Sequence, residues 1–232
     1  MDNLSVATEG PVRVLRLDRA NKKNALTRAM YSGLTESLQA AAQDDEGRVV
    51  VVVGQEGVFS AGNDLMDFVQ DPPTGPDSPV LQFLMALCQF EKPILMAVDG
   101  PAVGIGTTML LHADLVFSSD RAFYQLPFVP LGLVPEAASS LLLPNLAGLQ
   151  RASEWLLYGE RFSAEQAKAA GVVNEIVAPE ALEERVMARA RDLAELPPTA
   201  VKLTKKLIRA PILDKVKEVI AGTGGSLTDY FQ

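Results

Sequence analysis

The sequence predicts an α/β domain, a mainly parallel sheet covered by helices, followed by a helical C-terminal half. Three observations carry this. The runs "RVVVVVG" (48–54) and "KPILMAVDG" (92–100) are apolar on consecutive positions, as in strands buried on both faces. Strand patterns alternate with loops and helical periodicities, the order that builds parallel sheets. After Gly132 the patterns become mostly helical.

Each element has its own warrant. "VRVLRLD" (12–18) alternates apolar and polar residues, a strand signal. Within 25–45, Leu26, Met30, Leu34 and Leu38 recur every four residues, the stripe of an amphipathic helix. The Val-rich strand is followed by the loop "QEGVFSAGNDL" (55–65). "QDPPTGPDSP" (70–79) is a Pro/Gly-rich surface loop, and Val80 to Phe90 reads as a helix. After the second buried strand, "AVGIGTTMLLHA" (102–113) reads as helical despite its glycines. "DLVFSS" (114–119) is a third strand. Helices are predicted at Pro135 to Leu143, Leu149 to Tyr158, Ser163 to Ala170, Pro179 to Leu193 and Pro198 to Ile208. Ser163 with Gln166 three residues on forms a capping box. There is no internal repeat, and only 70–79 and "GTGGS" (222–226) are of low complexity.

Composition narrows the function. The 232 residues, 48% hydrophobic and 22% charged, suit a soluble domain able to bury a sizeable core. A net charge of −8 lacks the basic footprint of a nucleic-acid binder, although 19–23 and 202–209 are locally cationic. The single cysteine, Cys88, forbids an internal disulfide and fits a reducing compartment. "MDNLSVATEG" has no secretory signal, and no apolar run reaches the roughly 18 residues of a membrane span. A cytoplasmic protein without membrane or nucleic-acid partners is expected.

Several motifs fail. "GIG" (104–106) opens like a dinucleotide fingerprint, but Met109 occupies the third glycine position. There is no phosphate-binding Gly-Lys-Ser/Thr. His112 is the only histidine and lies among apolar residues, so a structural role is expected. A serine triad would need it, and no nucleophile elbow exists. No metal is expected, because the usual His/Cys ligands are missing. Cys88, flanked by Leu84, Leu87 and Phe90, reads as core.

Two loops remain. Gly62 in "VFSAGNDL" permits a turn that aims the N–H of Asn63 into a cleft. Ile105 in "DGPAVGIG" sits where a helix begins, with free N–H groups. Two such donors converging on one point form an oxyanion hole. On pattern alone, tight turns and close packing explain these glycines equally well.

"NKKNAL", "GVFSAGNDL", "DGPAVGIG…HADLVFSSDRAFYQLPFVPLGLVPE" and "GERFSAEQAKAAGVVNEIV" occur in the order of the crotonase superfamily, the enoyl-CoA hydratase/isomerase family, which the chain resembles from about Val12 to Lys206. The resemblance implies repeated ββα units forming two sheets, with a core domain over 1–195. It also implies a C-terminal helical region over 196–232, shorter than usual, and assembly as a homotrimer or hexamer. The expected ligand is an acyl-CoA thioester whose carbonyl lies between the N–H groups of Asn63 and Ile105. CoA enters as part of the substrate, so no separate cofactor is expected. The motif positions assign CoA contacts to Lys23, Asn24, Ala25, Leu26, Ser60, Ala61, Asp64 and Leu65; Lys22 and Lys23 are placed to meet the phosphates, although a solvated turn explains the two lysines equally well.

The resemblance also separates reactions. Hydratases of the family use two glutamates, and the matching positions here are Thr108 and Phe128. General acid–base help is typically worth about 10²- to 10⁴-fold, so losing both acids argues against hydration. An acid stands instead at Glu136, the position resembling the single catalytic glutamate of Δ3,Δ2-enoyl-CoA isomerases of fatty-acid β-oxidation. Taken alone, Glu136 after Pro135 also reads as a first-turn residue favoured by the helix dipole. Alternatives are a hydratase or another crotonase lyase or hydrolase activity, or an acyl-CoA-binding subunit without chemistry.

Overall fold

The computed structural model describes residues 3–70, 75 and 77–226. Half of the 70–79 loop and the end of the "GTGGSLTDYFQ" segment lie outside the described residues.

The chain opens with strands β1 (Leu4–Glu9) and β2 (Val12–Leu17), an antiparallel hairpin. The sequence reading lacks β1, because only Leu4 of its six residues is buried and no alternation marks it. Strands β3 (Val49–Val53), β4 (Ile94–Val98), β6 (Leu115–Ser119) and β9 (Glu175–Val177) continue the sheet in parallel, in the order β1-β2-β3-β4-β6-β9. All five valines of β3 are buried. Val50 and Val52 face one core with Leu15, Ile94 and Met96. Val49, Val51 and Val53 face the other, closed by Leu182, Val186 and Met187 of helix α8 (Pro179–Ala194). This is why the run carries no polar alternation.

A second sheet joins β5 (Pro101–Val103), β7 (Phe123–Gln125) and β8 (Arg161–Ser163) in the order β5-β7-β8. The continuous helix expected at 102–113 is therefore corrected. Its first residues are spent pairing with β7, helix α4 occupies only Ile105–Thr108, and a 3-10 turn follows over Met109–His112. The all-helical second half is corrected too, since β8 and β9 complete the two sheets.

The other helices are α1 (Arg28–Gln43), α2 (Leu65–Gln70), α3 (Pro79–Gln89), α5 (Ser139–Ala147), α6 (Leu149–Tyr158), α7 (Ala164–Ala169) and α9 (Pro198–Ser226). Thr27 and Ser78 cap α1 and α3, accepting from Met30 N–H and Leu81 N–H. The Ser163–Gln166 capping box at α7 is present with both hydrogen bonds. Helix α9 does not stop at Ile208. It runs through Pro211 because Val216 and Ile220, one turn apart, are buried in the same core as α3. Helix α5 starts at Ser139, not Pro135, because Ala137 and Ala138 both have a φ of 54°. Among the described residues no helix is long and apolar enough to cross a membrane, and no group of three or more His, Cys, Asp or Glu side chains is placed to hold a metal ion.

Candidate active site

The two glycine loops lie side by side. Ser60 N–H donates to Pro101 O at 3.0 Å, and Val103 N–H donates to Ser60 O at 2.9 Å, so residues from 60 run parallel to β5. The approach is close enough to require glycine twice. A Cβ on Gly62, whose φ is +94°, would stand 2.9 Å from Val103 O, and one on Gly106 would stand 2.9 Å from Ser60 O. Asn63 follows the first contact and Ile105 opens α4 at the second. Neighbouring N–H groups are satisfied: Gly62 by Ser60 Oγ, Asp64 by Leu26 O, and Gly104 by Gln125 O. Among the described residues, the N–H groups of Asn63 and Ile105 have no acceptor. Both are free to donate to an added acceptor.

The segment 23–26 lies against the first loop. Ala61 N–H donates to Lys23 O at 2.9 Å, Ser60 Oγ–H to Asn24 O at 2.9 Å, and Leu26 N–H to Gly62 O at 2.8 Å. The residues expected to contact CoA are thus brought together, but in different capacities. Asn24, Leu26 and Ser60 are buried. Asn24 Nδ2 donates to Val58 O and Phe59 O while its Oδ1 accepts from Arg19 N–H, so this side chain holds the loops in place. Asp64 pairs with Arg19 at 2.7 Å and accepts from Met66 N–H and Asp67 N–H at the start of α2. The hydrogen bond from Arg19 holds its carboxyl below the usual range. Ala25 and Ala61 are half-buried, whereas the side chains of Lys23 and Leu65 are exposed.

Glu136 sits on the loop before α5. Its Oε1 accepts from Thr108 Oγ1–H at 2.5 Å. Its Oε2 is buried and has no partner among the described residues. Burial raises the carboxyl pKa to about 7, against the opposing pull of the Thr108 hydrogen bond. The first-turn explanation for this residue does not hold. Glu136 precedes the helix, and its carboxylate engages Thr108 rather than the helix N–H groups. Phe128, at the other hydratase acid position, is buried in the core.

Tyr31 escaped the sequence reading. It follows Met30 in α1, fully buried, and its hydroxyl donates to Asn63 Oδ1. Burial, reinforced by the negative charge of Glu136, pushes its pKa well above 10. Tyr31 thereby holds the Asn63 side chain within range of the Glu136 charge. The available signal was a tyrosine within a buried helix, whose hydroxyl needs a partner. His112 is buried, with Nε2 2.8 Å from Ala137 O, and burial lowers its pKa to about 4, in keeping with a structural role. The buried Cys88 thiol is pushed up to about 11, so it is a core group rather than a nucleophile.

The six-stranded and three-stranded sheets, with two glycine loops in contact between them, define the class: this is the crotonase fold. The sequence profile described as enoyl-CoA hydratase/isomerase matches residues 7–232, and the chain belongs to that family, near its isomerase branch. Human enoyl-CoA delta isomerase 2 is 34% identical over 95% of this chain, which spans 57% of that relative's length. The 4-chlorobenzoyl coenzyme A dehalogenase-2 of Arthrobacter sp is 34% identical over 89% of this chain and 78% of its own. The solved structure of Pseudomonas aeruginosa OdaA superposes with a TM-score of 0.97 at 45% identity, over 100% of this chain and 94% of that one.

Proposed function

We propose that the protein is a Δ3,Δ2-enoyl-CoA isomerase in which Glu136 is the sole proton carrier. The observation that carries this reading is the Glu136 carboxyl itself: buried, held on one oxygen by Thr108, unpartnered on the other, and poised near neutrality. A base of pKa near the working pH is suited to both halves of a proton transfer. Glu136 takes a proton from C2 of a 3-enoyl-CoA. The electron pair moves into the thioester carbonyl, giving a dienolate whose oxygen is held by the N–H groups of Asn63 and Ile105. The dienolate collapses with the double bond between C2 and C3, and C4 takes the proton back from Glu136. Atoms and charge balance without water. Thr108 and Phe128, at the hydratase acid positions, supply no second carboxylate to activate one.

CoA enters as part of the substrate and no separate cofactor is invoked. Lys22 and Lys23 meet its phosphates. The 24–26 and 60–65 segments line its path, chiefly through the main chain of Ala25 and Ala61 and the exposed side chain of Leu65. A trimeric or hexameric assembly, a place in fatty-acid β-oxidation and a cytoplasmic location belong to the same reading.

The test assays purified protein on trans-3-hexenoyl-CoA, crotonyl-CoA and 4-chlorobenzoyl-CoA, with Glu136→Gln in parallel. Isomerisation is expected, falling by about 10³-fold or more in the variant, with little hydration. Robust crotonyl-CoA hydration or preferential dechlorination would overturn the assignment, and so would isomerisation indifferent to Glu136→Gln.

A further inference from the structure

We infer that His112 is a positioning residue that aims Glu136, working with Ile105 and Thr108 of the same segment. The inference rests on the catalytic reading of Glu136. It starts from the backbone. Glu136 is in no helix, and the two residues after it, Ala137 and Ala138, both have a φ of 54°. Left-handed conformations are unfavourable for residues with a Cβ and persist where surrounding contacts over-determine them. Two sets of contacts do so. On the α5 side, Ser139 donates to Glu136 O through both N–H, at 2.9 Å, and Oγ–H, at 2.6 Å. On the other side, His112 Nε2 lies 2.8 Å from Ala137 O. A carbonyl can only accept, so Nε2 carries the hydrogen. Both groups are buried.

Ile105 and Thr108 lie in α4 and His112 ends the 3-10 turn that extends it, and Thr108 and His112 both reach the 136–137 segment. Ile105 offers its N–H, Thr108 holds the Glu136 carboxyl, and His112 holds the main chain beside Glu136. The segment is anchored in turn from α9. Arg209 donates to His112 O at 2.8 Å, to Ala113 O at 2.9 Å and to Asp114 Oδ1 at 3.2 Å. Donor and acid are thereby fixed to the same short rod, and their separation does not depend on the 132–138 loop alone.

The experiment compares His112→Met with His112→Gln, side chains of equal length of which only Gln can donate. His112→Met is expected to lower kcat on trans-3-hexenoyl-CoA by about 10- to 100-fold with KM changed by less than about twofold, because a misaimed base loses transition-state contact. His112→Gln is expected to recover kcat to within about threefold of wild type. Carbon-13 NMR of labelled glutamate, without substrate, reads the Glu136 titration. It is expected near 7 in wild type and His112→Gln, and to move toward 4.5 in His112→Met as the carboxyl leaves its site. A merely structural histidine would lower Tm in both variants and leave that titration in place. Unchanged kcat in His112→Met, or equal losses in both variants, would overturn the inference. A titration that moves in a protein without isomerase activity keeps the clamp and removes the isomerase reading; activity with an unmoved titration does the reverse. If His112→Met does not fold, nitrogen-15 NMR of wild-type His112 decides: the Nε2–H tautomer is required, and the Nδ1–H tautomer would overturn the clamp.

Discussion

At the scale of the residue, Glu136 couples function to stability with a definite sign. Its folded pKa of about 7 exceeds the ordinary 4.5, so the folded state binds more protons than the unfolded chain between those values. Stability therefore falls as pH rises across that window and levels off above it. The full excursion corresponds to at most ~3 kcal/mol at 1.36 kcal/mol per pKa unit. Glu136→Gln removes the titration. It is expected to raise stability relative to wild type at pH 8 by up to that ~3 kcal/mol and to leave it almost unchanged at pH 4. Urea denaturation at the two pH values measures this. A variant no more stable than wild type at pH 8 would mean that the carboxylate is solvated. The residue scale was partly legible in the sequence. An acid in apolar company announced a cost that needed a reason. The left-handed pair beside it did not announce itself, since alanine carries no preference for positive φ and the conformation is imposed by His112 and Ser139.

At the scale of the element, the site depends on how closely two loops approach. The glycines were visible as loop signals, but strand β5 was not. Its three residues are defined by pairing with β7 and by the contact with Ser60, and neither leaves a periodic mark. The same holds for β8 and β9, three residues each, whereas the long Val-rich strand and helices α1, α6 and α8 were plain from their own patterns. Gly62→Ala tests the approach directly. Its φ of +94° is unfavourable for alanine, and the new Cβ would press on Val103 O at 2.9 Å. The expected cost is about 1–3 kcal/mol of stability, since the main chain has to move away. Displacing Asn63 by even ~1 Å is expected to lower kcat by up to about 10²-fold. Urea denaturation and steady-state kinetics read the two effects separately. Full activity in Gly62→Ala would show that the two loops need not touch.

At the scale of the whole molecule, the question is whether residues after 195 form a unit of their own. The family resemblance implied a boundary there, with a core domain over 1–195 and a helical region over 196–232. The packing argues for one cooperative body. Lys205 of α9 is buried, donating to Lys92 O at 2.6 Å and to Asp114 Oδ2 at 2.7 Å. Asp114 also accepts from Ile94 N–H, so the start of β4 and the first half of α9 share one carboxylate. A buried ammonium cannot lose this partner cheaply; breaking such a pair typically costs about 3–5 kcal/mol. Val216 and Ile220 add apolar burial in the main core. Unfolding of α9 alone would strand Lys205 and uncover that core, so it should not precede global unfolding. Two probes can tell. Trp155, the single tryptophan, stacks on Phe162 of β8 at 3.8 Å between ring centroids and reports on α6 and the small sheet. Far-UV circular dichroism is dominated by the long helices, α9 among them. Urea transitions followed by the two signals are expected to coincide, as a two-state unit requires. An earlier circular-dichroism transition without a fluorescence change would show that α9 unfolds independently, and the proposed anchoring of His112 through Arg209 would then lose its base.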